Sequence, residues 1–458
     1  MKQIISINPS TNKPIDSVNA STPSQITEKI AKAHEAAAKW KAIGVKKRVE
    51  ILKPLIEIFK NLSEKIAMLS TQEIGKPISE SRDDLIGDLY YLNDFLDNGE
   101  KYIEDEITFK DENTIHRVIY EPRGVVACII PWNYPFGNFI WAVIPNLIVG
   151  NTVVIKHSEE CVLTARLLEE TILSLKNLPE GVFSAIYGDA EEGAYLATQE
   201  INMIRFTGSS AVGRKLSHVA GQKQIKAILE MGGSNPVIVR EDAHIDVVER
   251  LHKGRFINCG QVCDAIKRAL IHHTLFENIV TQLTERINRI TIGDPEDKKT
   301  ELGPLVSKHQ LTILEEQVQD ALNKGAKLIT GGRYQQKVAG YYFMPTILTN
   351  INRDMRVWQE EVFGPVLPII SFKDDEEAIA LANDTQYGLG AVIISQDLER
   401  ARYMANKIDA GCIDINEGSH WHPATPFGGY KSSGMGREHG RIGFQELCQI
   451  KVIAETIV

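Results

Sequence analysis

Apolar residues recur at helical spacing early in the chain and give way to short β-branched runs later, and that change of period divides the molecule. After Pro23, Ile26, Ile30, Ala33, Ala37 and Trp40 fall on one helical face, and Val49, Leu52, Ile56, Phe59 and Leu62 predict a second long helix. From Tyr120 onward, apolar runs at 125–130, 153–156, 184–187, 203–206 and 227–230 alternate with helical segments, the signature of parallel βαβ units. A second series follows Gly233, at 236–239, 269–271, 327–330, 367–372 and 391–395, separated by helical stretches such as 374–383. The expected fold class is α/β, with two such domains behind a helical start. Residues 105–120 and 451–458 read as strands without partners in their own domain. Exposed strand edges are normally paired or covered, so an oligomer is expected.

Composition narrows the function. A chain of 458 residues has room for two or three domains, and 43% hydrophobic content supplies a large core. Sixty acidic residues against 51 basic ones, with no long basic block, disfavour nucleic-acid binding. No apolar stretch approaches the ~18 residues of a membrane span, and none near Met1 has signal-peptide character, so a cytoplasmic protein is expected. The cysteines at 128, 161, 259, 263, 412 and 448 provide neither a disulfide framework nor a zinc spacing, so reduced thiols and no metal are expected.

Several junctions carry candidate chemistry. Phe206-Thr207-Gly208-Ser209 links an expected strand to an expected helix, where glycine lets backbone amides approach a pyrophosphate; a tight βα turn is the alternative. Lys156 ends another strand with Glu159 three residues on, suited to ribose hydroxyls or simply a solvated strand end. Pro131-Trp132-Asn133-Tyr134-Pro135 offers the Asn133 amide as a neutral donor for a developing oxyanion. Glu230, followed by Gly232-Gly233, is a candidate general base. Cys263 closes Asn258-Cys259-Gly260-Gln261-Val262-Cys263 and is a candidate nucleophile, against the alternative of a small buried apolar residue. Glu361-Val362-Phe363-Gly364-Pro365 could face a cofactor ring or merely begin a strand.

Taken in order, these segments resemble the aldehyde dehydrogenase superfamily, together with Asn8-Pro9, Glu73-Ile74-Gly75-Lys76-Pro77 and Pro426-Phe427-Gly428-Gly429-Tyr430-Lys431. The resemblance implies a Rossmann-like NAD(P)-binding domain over 1–104 and 121–231 and a catalytic domain over 232–427. It also implies a small β oligomerisation element over 105–120 and 440–458, and assembly as a homodimer or homotetramer. By the same resemblance Cys263 is the nucleophile, Asn133 with the Cys263 amide the oxyanion hole, and Glu230 the base that hydrolyses a thioester. Pro131, Trp132, Lys156, Glu159, Gly208, Ser209, Gly232, Glu361 and Phe363 are the implied cofactor residues, with Trp141 and Trp421 on the substrate side. Glu159 favours NAD, with NADP the alternative, since its carboxylate repels a 2′-phosphate. Glu230 argues against a relative that passes the thioester to coenzyme A.

The chain departs from the common pattern at His157, where proline is usual, and at Ser234, where many members have lysine. Ser234, Lys267-Arg268 and Phe444-Gln445-Glu446-Leu447-Cys448 look most like compact bacterial succinate-semialdehyde enzymes. Yet the helix after Pro135 has no arginine where several of those enzymes clamp the distal carboxylate. The loop 417–426, carrying Trp421 and two histidines, is expected to line the substrate entrance.

Overall fold

Val125–Ile130 lies inside a six-stranded sheet in a computed structural model that describes residues 2–334 and 339–457. Val126, Cys128 and Ile130 point into one apolar cluster with Phe139 and Ile140, while Val125 and Ala127 point into another with Ile26 and Ile30. Both faces are buried, which is why the sequence run is continuously apolar rather than alternating. The strand order is Gly434–Met435, Lys226–Met231, Met203–Gly208, Val125–Ile130, Thr152–His157, Phe183–Ile186. Only the two-residue edge strand runs antiparallel to its neighbour.

The second sheet has the order Lys327–Thr330, Thr346–Thr349, Val366–Phe372, Ile266–His272, Asn235–Val239, Gly390–Ile394, Cys412–Ile415. Apart from the antiparallel edge strand Lys327–Thr330 its pairs are parallel, so the expected α/β class holds. Thr346–Thr349 and Cys412–Ile415 escape the sequence reading because four residues show no usable period. Three residues, Gly232-Gly233-Ser234, carry the chain from the first sheet into the second, and residues 416–433 bring it back to the edge strand Gly434–Met435.

The helical start is real but differs in two details. It is preceded by a hairpin, Gln3–Asn8 with Lys13–Asn19. The single long helix expected through Val49 to Leu62 is two helices, Val45–Leu52 and Leu55–Ile74, because Pro54 cannot continue the hydrogen-bond ladder. Buried Arg48, in the first of these helices, caps two others: its guanidinium donates to the carbonyls of Ile148 and Val149 at one helix end and of Trp40 and Lys41 at another. Glu73, fully buried, does the converse job. Its carboxylate accepts from the amides of Leu163 and Thr164 at 2.8 Å and from the hydroxyls of Thr164 and Ser6 at 2.7 and 2.9 Å, capping Val162–Leu173.

The two strands expected to lack partners find each other. Residues 105–120 contain two strands, Glu106–Lys110 and Thr114–Pro122, and the second pairs antiparallel with Cys448–Thr456, Lys451 opposite Ile119. Both outer strands of this sheet remain open, and Ile450 on one of them is 66% exposed. Among the described residues no helix is long and apolar enough to cross a membrane.

Candidate active site

In the six-stranded sheet the chain runs outward in one direction from Val125–Ile130 and later returns to the other side at Met203–Gly208, leaving a crevice at the carboxyl ends of these two strands. Pro131–Asn133 leave one strand there and Gly208-Ser209 the other. The amino ends of the second sheet close the crevice from above: Cys263 precedes Ile266–His272, and Glu361 and Phe363 precede Val366–Phe372. A cavity of about 840 Å³ results. Its wall includes Cys263, Glu230, Asn133, Pro131, Trp132, Gly208, Ser209, Gly232, Glu361, Phe363, Trp141 and Trp421. Lys156 and Glu159 are absent from that wall; they end the adjoining strand, paired at 3.0 Å, with Glu159 43% exposed at its side chain.

The loop before Cys263 is not helical. Asn258, Cys259 and Gly260 have φ of 49°, 55° and 73°, a left-handed run that only packing can hold. At Gly260 a side chain would meet the Gly364 carbonyl at 2.4 Å, so glycine is required. The backbone twist sends Cys259 into the core of the second sheet, while Cys263 is partly exposed and packs beside Leu389, Cys412 and Phe427. The two thiols are therefore not stacked one helical turn apart.

Hydrogen bonds tie this loop to Asn133. The Asn133 amide donates to the Gln261 carbonyl at 3.0 Å, and Asn258 donates to the Asn133 carbonyl at 3.0 Å. Gln261 in turn accepts from the Val306 amide through its side chain, and the Asn258 amide donates to Glu80 at 2.7 Å. One Asn133 amide hydrogen is thus used in positioning, and Asn133 lines the cavity. Asn258 and Gln261 were visible in the motif, but nothing in their spacing marked them as braces.

Glu230 ends its strand 3% exposed, and neither carboxylate oxygen has a hydrogen-bond partner among the described residues. Burial, reinforced by the nearby charge of Glu438, raises its pKa well above the usual carboxylate range. Arg205, which pairs with Glu438, opposes that shift, as do Arg437 and the Gly429 amide, which lies nearby without the geometry of a well-formed hydrogen bond. Cys263 is also shifted upward, first by burial and then by the Asp264 carboxylate, with Lys267 acting in the opposite direction. Lys267 is fully buried and donates to the carbonyls of Gly233 and Cys263 at 2.9 and 2.8 Å as well as to Glu361. It thereby joins the thiol loop, the turn after Glu230 and the carboxylate at the far side of the crevice. Glu361 lies so close to Gly232 that a Cβ there would sit 2.0 Å from its oxygen.

The remaining wall is aromatic and acidic. Trp141 and Trp421 stack with centroids 5.5 Å apart, and Trp421 stacks on Phe427 at 4.8 Å. The Trp421 indole donates to Asp264 at 2.8 Å, while His420 bridges Asp414 at 3.1 Å and Asp264 at 3.5 Å. Burial disfavours a charged His420, but its bonds to the two aspartates outweigh that and raise its pKa to about 9. The loop of Trp421 and His420 was expected at this entrance; Asp264 and Asp414, whose meaning lies only in their meeting with it, were missed.

Residues 1–453 match the model of the aldehyde dehydrogenase family. A succinate-semialdehyde dehydrogenase [NADP(+)] of Deinococcus radiodurans is 34% identical over 98% of this chain and 94% of its own length. A betaine aldehyde dehydrogenase of Bacillus subtilis is 35% identical over 97% of this chain and 92% of its own. Among solved structures, betaine aldehyde dehydrogenase from Staphylococcus aureus in complex with NAD+ superposes with a TM-score of 0.95 at 31% identity, covering 99% of this chain and 91% of that one. The chain belongs to the aldehyde dehydrogenase family.

Proposed function

We propose that the cavity oxidises an aldehyde to its carboxylic acid, with NAD as acceptor, through a thiohemiacetal and a thioester on Cys263. The observation that carries this reading is the meeting of a partly exposed thiol, an unpartnered buried carboxylate and a braced amide on one wall. The Cys263 thiolate, formed by loss of its proton to solvent, attacks the carbonyl carbon through Sγ, and the carbonyl oxygen takes the electron pair as an oxyanion. The second Asn133 amide hydrogen and the Cys263 backbone N–H stabilise it, a contribution on the order of 3–4 kcal/mol for one such donor. When bound, the nicotinamide supplies the hydride acceptor that protein side chains lack. Glu230 then takes a proton from water, the resulting hydroxide attacks the thioester carbon, and the acid leaves as the thiol is restored. A carboxylate whose pKa is raised by burial is a stronger base than an ordinary one, which suits this step.

The residues fit a dinucleotide. Gly208 lies against the Phe206 ring with no room for a side chain, and Ser209 caps a 14-residue helix whose first amides face the crevice. Trp132 and Phe363, edge to face at 5.7 Å, with Glu361 above Gly232, would hold the nicotinamide-ribose end. Lys156 and Glu159 would hold the adenosine ribose, and the Glu159 carboxylate disfavours a 2′-phosphate, so NAD is preferred to NADP. The domain division at 231/232 and an assembly role for the three-stranded sheet, with its open edges and exposed Ile450 and Val452, belong to the same reading. Succinate semialdehyde is the substrate favoured by the motif resemblance and by the name of the Deinococcus relative. The Bacillus relative is named for betaine aldehyde, so the relatives' names do not choose between an anionic and a cationic aldehyde.

Cys263→Ala tests the chemistry. NADH formation from any aldehyde that the native protein oxidises should vanish, together with the acyl adduct seen by intact-protein mass spectrometry. Retention of substantial turnover would refute the assignment of the nucleophile.

A further inference from the structure

Lys267 takes no part in the steps above, although it is wholly buried as the second residue of the strand Ile266–His272. Side chains alternate along a strand, so Lys267 and Arg268 leave it on opposite faces. Arg268 caps the helix Asp375–Asn383, donating to the carbonyls of Leu381 and Ala382 at 2.8 Å. Lys267 turns instead toward the crevice, its ammonium 5.4 Å from the centre of the Phe363 ring. The three ammonium hydrogens meet three acceptors: the Gly233 carbonyl at 2.9 Å, the Cys263 carbonyl at 2.8 Å and Oε1 of Glu361. Oε1 also accepts from the Gly233 amide at 3.2 Å, whereas Oε2 lies over Gly232 and among the described residues meets no donor. One oxygen of Glu361 is thus pinned from below and the other is turned to the crevice. Replacing a buried ion pair by apolar residues is often neutral or stabilising, so stability does not account for this one.

The same ammonium acts on the thiol. Facing Cys263 are Asp264 on its own loop, Glu361, Glu230 from the first sheet, the Tyr134 hydroxyl and the Cys412 thiol, each of which disfavours a thiolate when ionised. Lys267 is the cation that opposes them and the burial of the thiol. Arg255, a second cation beside Lys267, is occupied with the carbonyls of Val362 and Gly364. Burial disfavours the charged form of Lys267, and Glu361 favours it. Because Glu361 is bonded to that ammonium, it cancels part of the positive potential that Lys267 places on the thiol.

We propose that Lys267 is a positioning residue that orients Glu361 toward a ribose diol in the crevice and supplies the positive charge that favours the Cys263 thiolate. One ammonium then serves both the cofactor and the nucleophile, a role that rests on the reading of Glu361 and Cys263 given above.

The test uses the full-length protein and needs no turnover. NAD affinity is read from the quenching of tryptophan fluorescence, and thiol reactivity from iodoacetamide alkylation of Cys263, followed by peptide mass spectrometry from about pH 7 to about pH 9. Lys267→Met, which keeps the length and removes the charge, should weaken NAD binding about tenfold and slow alkylation about tenfold across that range. Glu361→Gln should also weaken NAD binding but accelerate alkylation, because the Lys267 charge is then unopposed. The double variant Lys267→Met/Glu361→Gln should alkylate at a rate between those of the two single variants. Opposite signs at the thiol with one sign for NAD separate this role from a loosened fold, which would expose the thiol and accelerate alkylation in both. Either change failing to occur in Lys267→Met, or faster alkylation in it, would overturn the proposal. If Lys267→Met does not fold, Glu361→Gln decides, and alkylation no faster than in the native protein overturns it. If the native protein bound no NAD and oxidised no aldehyde, the catalytic reading would fall, and the alkylation rates would still judge Lys267.

Discussion

Two buried glutamates differ in what the fold brings against their carboxylates. Glu73 is sealed between the N-terminal hairpin and the helix Val162–Leu173, and its oxygens accept from two amides and two hydroxyls. Glu230 is almost as deeply buried, at the end of a strand beside Gly428, and has no partner for either oxygen. Burial raises both pKa values. What differs is where the unmet hydrogen-bonding capacity lies. At Glu73 it is used up by helix-end donors, so the charge is structural. At Glu230 it remains unmet on the cavity wall, the arrangement that the proposed base requires.

That contrast can be broken most sharply at Glu230. Glu230→Gln should lower steady-state turnover about a hundredfold or more while leaving an initial burst of NADH, because the first half-reaction does not need the base. A burst suppressed as strongly as turnover would mean that Glu230 also serves the first step. Thermal stability should be unchanged or raised, since a buried, unpaired carboxyl is replaced by an isosteric neutral amide.

The opposite pattern is expected at Glu73. Glu73→Ala strands the Leu163 and Thr164 amides and should destabilise the fold by about 3 kcal/mol in chemical denaturation, while the protein that remains folded keeps its kcat. A stability change below about 0.5 kcal/mol would remove the structural half of the comparison.

A smaller effect sharpens the same distinction between the two neighbouring thiols. The Cys263 pKa is raised by burial and by Asp264, so its thiolate is a minority species throughout the neutral range and grows with pH. Alkylation by iodoacetamide should therefore accelerate by about tenfold per pH unit from about pH 7 to about pH 9 without levelling off. Cys259, buried in the core, should stay unmodified until the protein is denatured. A plateau near neutral pH would show that Lys267 dominates the thiol environment.

Legibility followed the sequence distance over which each feature is encoded. Cys263, Glu230 and Asn133 could be singled out because each lies in a short segment whose glycines or prolines already constrain the backbone. The strands at 125–130 and 203–206 were equally plain, since burial on both faces leaves an uninterrupted apolar run. The break at Pro54 should have been read and was masked by the regular spacing of Val49 through Leu62. Arg48, Lys267 and the pair Asp264 and Asp414 carried no local signal. Arg48 reaches carbonyls about a hundred positions away, and Lys267 reaches Glu361 across 94.

The sequence by itself determined the α/β class and the family, and singled out the segments that meet at the cavity, because periodicity, turn residues and motif order are properties of neighbouring positions. Only the tertiary structure decided which buried charges are satisfied and which are left open, since a carboxylate is neutralised by whatever the fold brings against it. Glu73 and Glu230 cannot be told apart as letters in the chain. Surrounded by donors in one case and by a cavity in the other, they acquire different work.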